Sequence, residues 1–186
     1  MKTVKFGGSS LASAEQVRKV CDIITADTAR RLVVVSAPGK RIDSDTKVTD
    51  LLIAAAEAGL TRRDGSRELQ RVVERFADIA TGLGMADESV DPIRADLQQR
   101  LEADVSDKGL YMDTMKAAGE ANSARLVADY LRSQGVDAHC IDPAEAGMIL
   151  SDEPGNARVL RQAYGRLRSL RERPGISIFP GFFGYS

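Results

Sequence analysis

The sequence predicts an α/β fold, a mainly parallel sheet with helices packed on it, from three observations. Short apolar or alternating runs recur at Lys2–Phe6, Arg31–Ser36, Val136–Ile141 and Ile176–Phe179, each the length of a strand. Between them lie longer stretches whose apolar residues return every three or four positions. Strands separated by helices join as parallel neighbours through crossovers, so the order of the elements points to a parallel sheet.

Each element has its own signal. Lys2–Phe6 is a short strand broken abruptly by Gly7-Gly8-Ser9-Ser10. A helix opens near Ser13 and carries Val17, Val20, Cys21 and Ile24 on one stripe. Arg31–Ser36 contains Leu-Val-Val-Val, a β-branched run suited to a strand buried on both faces. Ser36-Ala37-Pro38-Gly39 and a polar segment to Lys47 follow it, and Val48-Thr49-Asp50 opens the next helix. From Leu51 to Leu110 the pattern is helical, with stripes at Leu51, Leu52 and Ala55, at Leu69, Val72, Val73, Phe76 and Ile79, and at Ile93, Leu97 and Leu101 after Asp91-Pro92. These helices are expected to form a cap beside the sheet with charged outer faces. Gly119-Glu120 stands at or near the start of the periodic stretch Ala124, Leu126, Val127, Tyr130 and Leu131, which Gln134-Gly135 ends. Val136–Ile141 is the next strand, Met148–Ser151 a shorter one, and Asn156 is placed to cap a helix through Val159, Leu160 and Leu167 to about Arg171. Ile176–Phe179 is the last strand, followed by the glycine-spaced Pro180-Gly181-Phe182-Phe183-Gly184-Tyr185. With no helix after it, the chain reads as part of a longer protein.

Composition narrows the classes of function. The chain has 186 residues, a formal net charge of -1 and 43% hydrophobic residues, which fits a globular domain with one core and no nucleic-acid partner. The arginines from Arg158 to Arg173 read as a solvated helix face, interrupted by Glu172 and poor in aromatics. No apolar run has the length of a bilayer span and no secretory leader is apparent, so a cytoplasmic protein with no membrane partner is expected. Cys21 and Cys140 read as small buried side chains, and His139, on a strand, as a packing or surface residue. With one histidine and no close cysteine pair, no metal-binding residues are assigned.

The candidate chemistry gathers at strand ends. Lys5 and the Gly7-Gly8-Ser9 backbone have the character of a phosphate loop, in which glycines let main-chain amides approach an anion and a lysine adds mobile positive charge. A simple glycine turn between strand and helix explains the same residues. Ligands of open α/β sheets lie outside the carboxyl ends of the strands, which would bring Ser36 and Thr49 to this loop. A turn serine and a helix N-cap are the alternatives. Glu120 is either a capping acid or a carboxylate aimed at a cationic ligand group, and Gly181-Phe182-Phe183-Gly184 is either a second ligand-contacting loop or a tight connection.

Taken together, Lys5-Phe6-Gly7-Gly8-Ser9-Ser10, Val35-Ser36-Ala37 with Val48-Thr49-Asp50-Leu51-Leu52, Gly119-Glu120 with Ser123-Ala124, and Pro180-Gly181-Phe182-Phe183-Gly184 resemble the N-terminal part of an aspartokinase of the amino-acid kinase family. The resemblance spans essentially the whole chain, and its first segment is the specific one. It implies a three-layer sandwich truncated at its C-terminal side, with residues 1–186 as the amino-acid-substrate part of the kinase domain and about 51–110 a helical cap or lid. It implies phosphoryl transfer from ATP, with Mg²⁺, to the side-chain carboxylate of L-aspartate. That reaction opens the lysine, threonine and methionine branch of amino-acid biosynthesis. Lys5 would stabilise the phosphoryl group in transfer and Gly7, Gly8 and Ser9 would cradle its oxygens. Ser36, Thr49, Phe182 and Gly184 would contact the amino acid, and Glu120 would receive its ammonium or hold the lysine. A homo-oligomer fits the same picture. The family's later arginine-glycine-glycine-serine-aspartate segment and regulatory domains are absent from this sequence, so the isolated chain is expected to be nearly inactive. Other readings are a kinase of another small amino acid or carboxylate, and a non-catalytic amino-acid-binding or interaction module.

Overall fold

The computed structural model describes residues 1–62, 64–153 and 155–181. Strands β1 (Lys2–Phe6), β2 (Arg30–Val35), β3 (Ala138–Cys140) and β4 (Ile176–Pro180) form one parallel sheet in the order β1-β2-β4-β3. Helices α1 (Ala14–Thr25), α2 (Val48–Arg62), α3 (Ser66–Leu83), α4 (Asp91–Leu101), α5 (Lys108–Ser133) and α6 (Arg161–Leu167) surround it. Short 3-10 turns stand at Gly8–Leu11, Asp87–Val90 and Arg168–Arg171. In register, Lys5 lies opposite Val34 and Phe6 opposite Val35, while Val34 and Val35 lie opposite Phe179 and Pro180. The carboxyl ends of β1, β2 and β4 therefore share one edge.

Local chemistry explains where the helices begin and end. The Ser13 hydroxyl caps α1 by accepting from the Gln16 amide at 3.4 Å, and Asp107 caps α5 by accepting from the Leu110 amide at 3.0 Å. Pro92 occupies the first turn of α4, where its missing N–H costs nothing. Gly84, left-handed at φ 76°, closes α3 by donating to the carbonyls of Ala80 and Thr81.

Alternation along β2 and β4 divides the apolar residues between two faces. Val33, Val35 and Ile178 enter the main core with Val17 and Ile24 of α1, Leu52 of α2, Phe76 of α3 and Leu97 of α4, and with Met115, Ala118 and Leu131 of α5. On the other face Leu32, Val34 and Phe179 meet a smaller cluster of Ile141, Leu167 and Leu170. The result is the expected three layers, unequal in size, with β1 turning the exposed Lys5 onto the thinner side. A polar tie joins α4 to α5, where the buried Asn122 amide donates to Asp96 at 2.7 Å and to the Ala118 carbonyl at 3.0 Å. Burial pushes the Cys21 thiol up to about 12, so it remains a protonated packing group, as expected.

Several expectations change. Helix α5 begins at Lys108, which places Gly119-Glu120 in its interior and excludes Glu120 as an N-terminal cap. Asn156 caps no helix, because Leu150 and Val159 pair antiparallel in an isolated bridge. Its bonds run from the Ser151 amide to the Arg158 carbonyl and from the Leu160 amide to the Ile149 carbonyl, each at 2.9 Å. Helix α6 starts only at Arg161 and gives way to the 3-10 turn at Arg168. Among the described residues Met148–Ser151 pairs through the Leu150–Val159 bridge and forms no longer strand. Cys140 is exposed, since β3 is an edge strand, and His139 lies 2.9 Å from Asp137.

Phe76, fully buried in α3, is a sensitive reporter of the core. Phe76→Ala is expected to lower stability by about 3–5 kcal/mol, whereas Tyr164→Ala, at a site 65% exposed, changes it little. Urea denaturation followed by circular dichroism measures both.

Candidate active site

Two loops meet at the carboxyl ends of β1 and β2 with no side chain between them. The Gly39 amide donates to the Gly8 carbonyl at 2.8 Å, and the Ser36 amide donates to the Phe6 carbonyl at 3.1 Å. A Cβ on Gly39 would stand 2.7 Å from the Gly8 carbonyl carbon, and one on Gly8 would stand 2.8 Å from the Ala37 oxygen. Glycine at both positions is thus a condition of the contact. The first loop is more structured than a glycine turn: Gly8–Leu11 winds into a 3-10 turn, closed by the Ser10 amide donating to the Gly7 carbonyl at 3.0 Å. Gly7 and Ser9 are exposed on it, and Lys5 is exposed on the strand that leads into it.

Helix α5 supplies the third wall. A Cβ on Gly119 would lie 2.8 Å from Ala37 Cβ and 3.1 Å from Leu52 Cδ1, so a glycine in mid-helix lets α5 approach both the second loop and α2. The next residue, Glu120, reaches the end of β4. Gly181 donates to the Val35 carbonyl at 2.9 Å. The position its Cβ would take is 3.0 Å from Val34 Cγ1 and 3.8 Å from Glu120 Oε2. Val34 is the register partner of Lys5. Lys5 and Glu120 consequently border the same strand-end region. One turn further along α5, the Ser123 hydroxyl is buried without a hydrogen-bond partner among the described residues.

A buried ion pair holds the second loop. Arg75 of α3 is only 4% exposed and donates to the Gly39 carbonyl at 2.9 Å, to Asp45 at 2.6 Å and to the Thr46 carbonyl at 3.2 Å. Asp45 also accepts from the Arg41 guanidinium and the Arg41 amide, each at 3.0 Å, and Arg41 reaches Asp78 at 3.1 Å. The Arg41 hydrogen bond, with backbone donors and the Arg75 charge, holds the Asp45 carboxyl well below the ordinary carboxylate range. Burial, and then the Arg41 charge, disfavour the Arg75 cation, and Asp45 offsets part of that cost. Arg75 contradicts the expectation that the charges of α3 face outward. The signal lay in its spacing, three residues after Val72 and four before Ile79, on the apolar stripe itself.

Of the residues singled out from sequence, Gly7, Gly8, Ser9 and Ser36 lie on the joined loops, Lys5 lies near the end of β1 that leads into the first of them, and Glu120 lies beside Gly181. Thr49 sits inside the first turn of α2, not at its cap. Phe182 and Gly184 fall outside the described residues. Two surface cavities are lined by other residues, among them Ile141 and Arg173. Among the described residues no three acidic, histidine or cysteine side chains gather as a metal-ligand set, and no helix is long and apolar enough to cross a membrane.

Comparison with known proteins places this geometry. The model of the amino acid kinase family matches residues 1–186. The chain is 52% identical over its full length to aspartokinase 3 of Bacillus subtilis, and 30% identical over 97% of its length to the chloroplastic aspartokinase 1 of Arabidopsis thaliana. It spans 41% of the first relative and 33% of the second. Among solved structures, it superposes on E. coli aspartokinase III in complex with aspartate and ADP with a TM-score of 0.78 at 27% identity, covering 98% of this chain and 40% of that one. The lysine and aspartate complex of the same enzyme gives 0.77 at 27% identity, covering 98% of this chain and 41% of that one.

Gly39→Ala is expected to cost about 1–3 kcal/mol through overpacking of backbone on backbone, while Gly7→Ala, with nothing within 4 Å of the new methyl, folds nearly as well. Thermal unfolding of the two variants tests the contrast. Because the folded-state value of Asp45 is depressed, its contribution to stability is complete above the ordinary aspartate value of about 3.9 and fades as the pH falls below it. Asp45→Asn should therefore be less stable than wild type at pH 7, with the gap narrowing below about pH 4. Urea midpoints across that range give the comparison.

Proposed function

The chain belongs to the amino acid kinase family, and from that footing we propose that it forms the amino-acid-substrate part of an enzyme that phosphorylates L-aspartate at the expense of ATP. A side-chain carboxylate oxygen of aspartate attacks the γ-phosphorus, the bond to the bridging oxygen breaks, and 4-phospho-L-aspartate and ADP leave. The observation that carries the reading is the Gly8–Gly39 joint beside Lys5, a backbone surface at the strand ends that brings main-chain amides and one flexible cation to the same place. The aspartokinase names of its relatives, and the aspartate and ADP held by one structural neighbour, support this substrate pair.

In this reading the ammonium of Lys5 neutralises charge on the phosphoryl group in transit, and the amides of Gly7, Gly8 and Ser9 donate to its oxygens. Ser36 and Thr49 orient the aspartate, and Glu120 receives its ammonium, with Phe182 and Gly184 as further contacts. The attacking carboxylate is already ionised near neutral pH, so alignment and charge neutralisation carry the step and no general base is assigned. Mg²⁺, bound with the ATP phosphates, would add neutralisation of their charge. The helices of about 51–110 serve as a cap, and the protein works in the cytoplasm as a homo-oligomer.

The test uses the full-length protein and coupled release of ADP. Aspartate-dependent turnover should exceed that with glutamate or acetylglutamate; a reversed preference would move the reading to another acceptor. Lys5→Ala should lower kcat by about 10²–10³-fold, with a smaller change in KM for aspartate. Wild-type turnover in that variant would remove Lys5 from the mechanism.

A further inference from the structure

We propose that Arg75 is a positioning residue that sets the geometry of the phosphate-handling loop from the far side of the second loop. The segment from Lys40 to Lys47 has no fully buried residue, and Ile42, its one large apolar side chain, is 67% exposed. Apolar packing therefore does little to fix it, and its place depends on polar contacts. Arg75 provides two of these, to Asp45 and the Thr46 carbonyl, and a third contact to the Gly39 carbonyl just before the segment, from a guanidinium that α3 holds almost wholly out of water. Gly39 then passes the constraint on: its carbonyl is held by Arg75 at 2.9 Å, and its amide holds the Gly8 carbonyl at 2.8 Å. One residue thus couples a helix of the cap to the loop beside Lys5.

The fork of the guanidinium is essential to this role. It presents several donors in a fixed plane and can satisfy a carbonyl and a carboxylate together, which a lysine ammonium cannot do in the same geometry. Displacement of reacting groups by about 1 Å can cost about 10²-fold in rate, so a slackened Gly39 is expected to register in turnover before it registers in substrate affinity.

The kinetic part of this inference rests on the proposed kinase activity, and the coupling of the two loops stands without it. The experiment compares wild type, Arg75→Lys and Asp78→Asn in the full-length protein, by kcat and KM for aspartate and by amide hydrogen exchange of residues 7–11 and 36–47. Arg75→Lys is expected to lower kcat at least tenfold with KM for aspartate changed less than threefold, and to speed exchange in both segments together. Asp78→Asn, which removes only the outer partner of Arg41, should leave all of these unchanged. Faster exchange confined to 36–47, with residues 7–11 and kcat as in wild type, overturns the proposal. If Arg75→Lys does not fold by circular dichroism, Asp45→Asn takes its place. It should speed exchange at the Gly39 amide and reduce kcat about threefold or more, and wild-type values for both overturn the proposal. If the wild type shows no aspartate-dependent ATP consumption, the kinase reading fails and the exchange comparison alone decides the coupling.

Discussion

Backbone touches backbone at Gly8 and Gly39, and the arrangement of the candidate site depends on that contact. A single methyl group on either residue would fall within 2.8 Å of main-chain atoms on the other loop. Such an approach leaves no room for the side-chain packing that normally fixes a loop, so its precision has to come from hydrogen bonds. The Gly39 amide and carbonyl divide that work, one facing the strand-end loop and the other facing Arg75. The buried guanidinium is tolerable because Asp45 and two carbonyls satisfy it; an unpaired charge in the same place would be strongly destabilising.

Helix α5 gives the second constraint. It crosses the main core with small residues, Ala117, Ala118, Gly119, Ala124 and Ala128, all buried. Glycine in a helix interior costs about 1 kcal/mol relative to alanine, and here that cost is offset by contact with Ala37, Leu52 and Val48 that a methyl would block. The same close approach carries Glu120 to the end of β4. A residue adjacent to such close packing is held with little freedom.

Much of this was legible along the chain because it is local. The β-branched run of β2, the glycine break after Phe6 and the stripes of α1 and α3 each depend on residues close in sequence, and their boundaries hold to within a few positions. The start of α5 was misplaced although Tyr111 and Met115 already stand one turn apart on its buried face, because Gly109 and Asp113-Thr114 break the run and the Asp107 cap that begins the helix is a single side chain. Residues 156–160 were misread for the opposite reason. Val159 and Leu160 fit a helical stripe, but their backbone pairs with Ile149–Ser151 instead. Arg75 stood in plain view on an apolar stripe, yet its partners lie 30 and 36 residues away, so only the folded chain could supply them.

By itself the sequence determined the kinds of element, the parallel character of the sheet and the resemblance that names the chemistry, since each rests on short-range pattern and on residue types fixed at short spacing. Tertiary structure decided which glycines are in contact, that Glu120 emerges from the middle of a helix, and that an arginine of α3 reaches the second loop where it touches the one beside Lys5. Those facts depend on distances between segments far apart in the chain. Such distances follow from how α3 and α5 pack on the sheet, a property of no single stretch of residues.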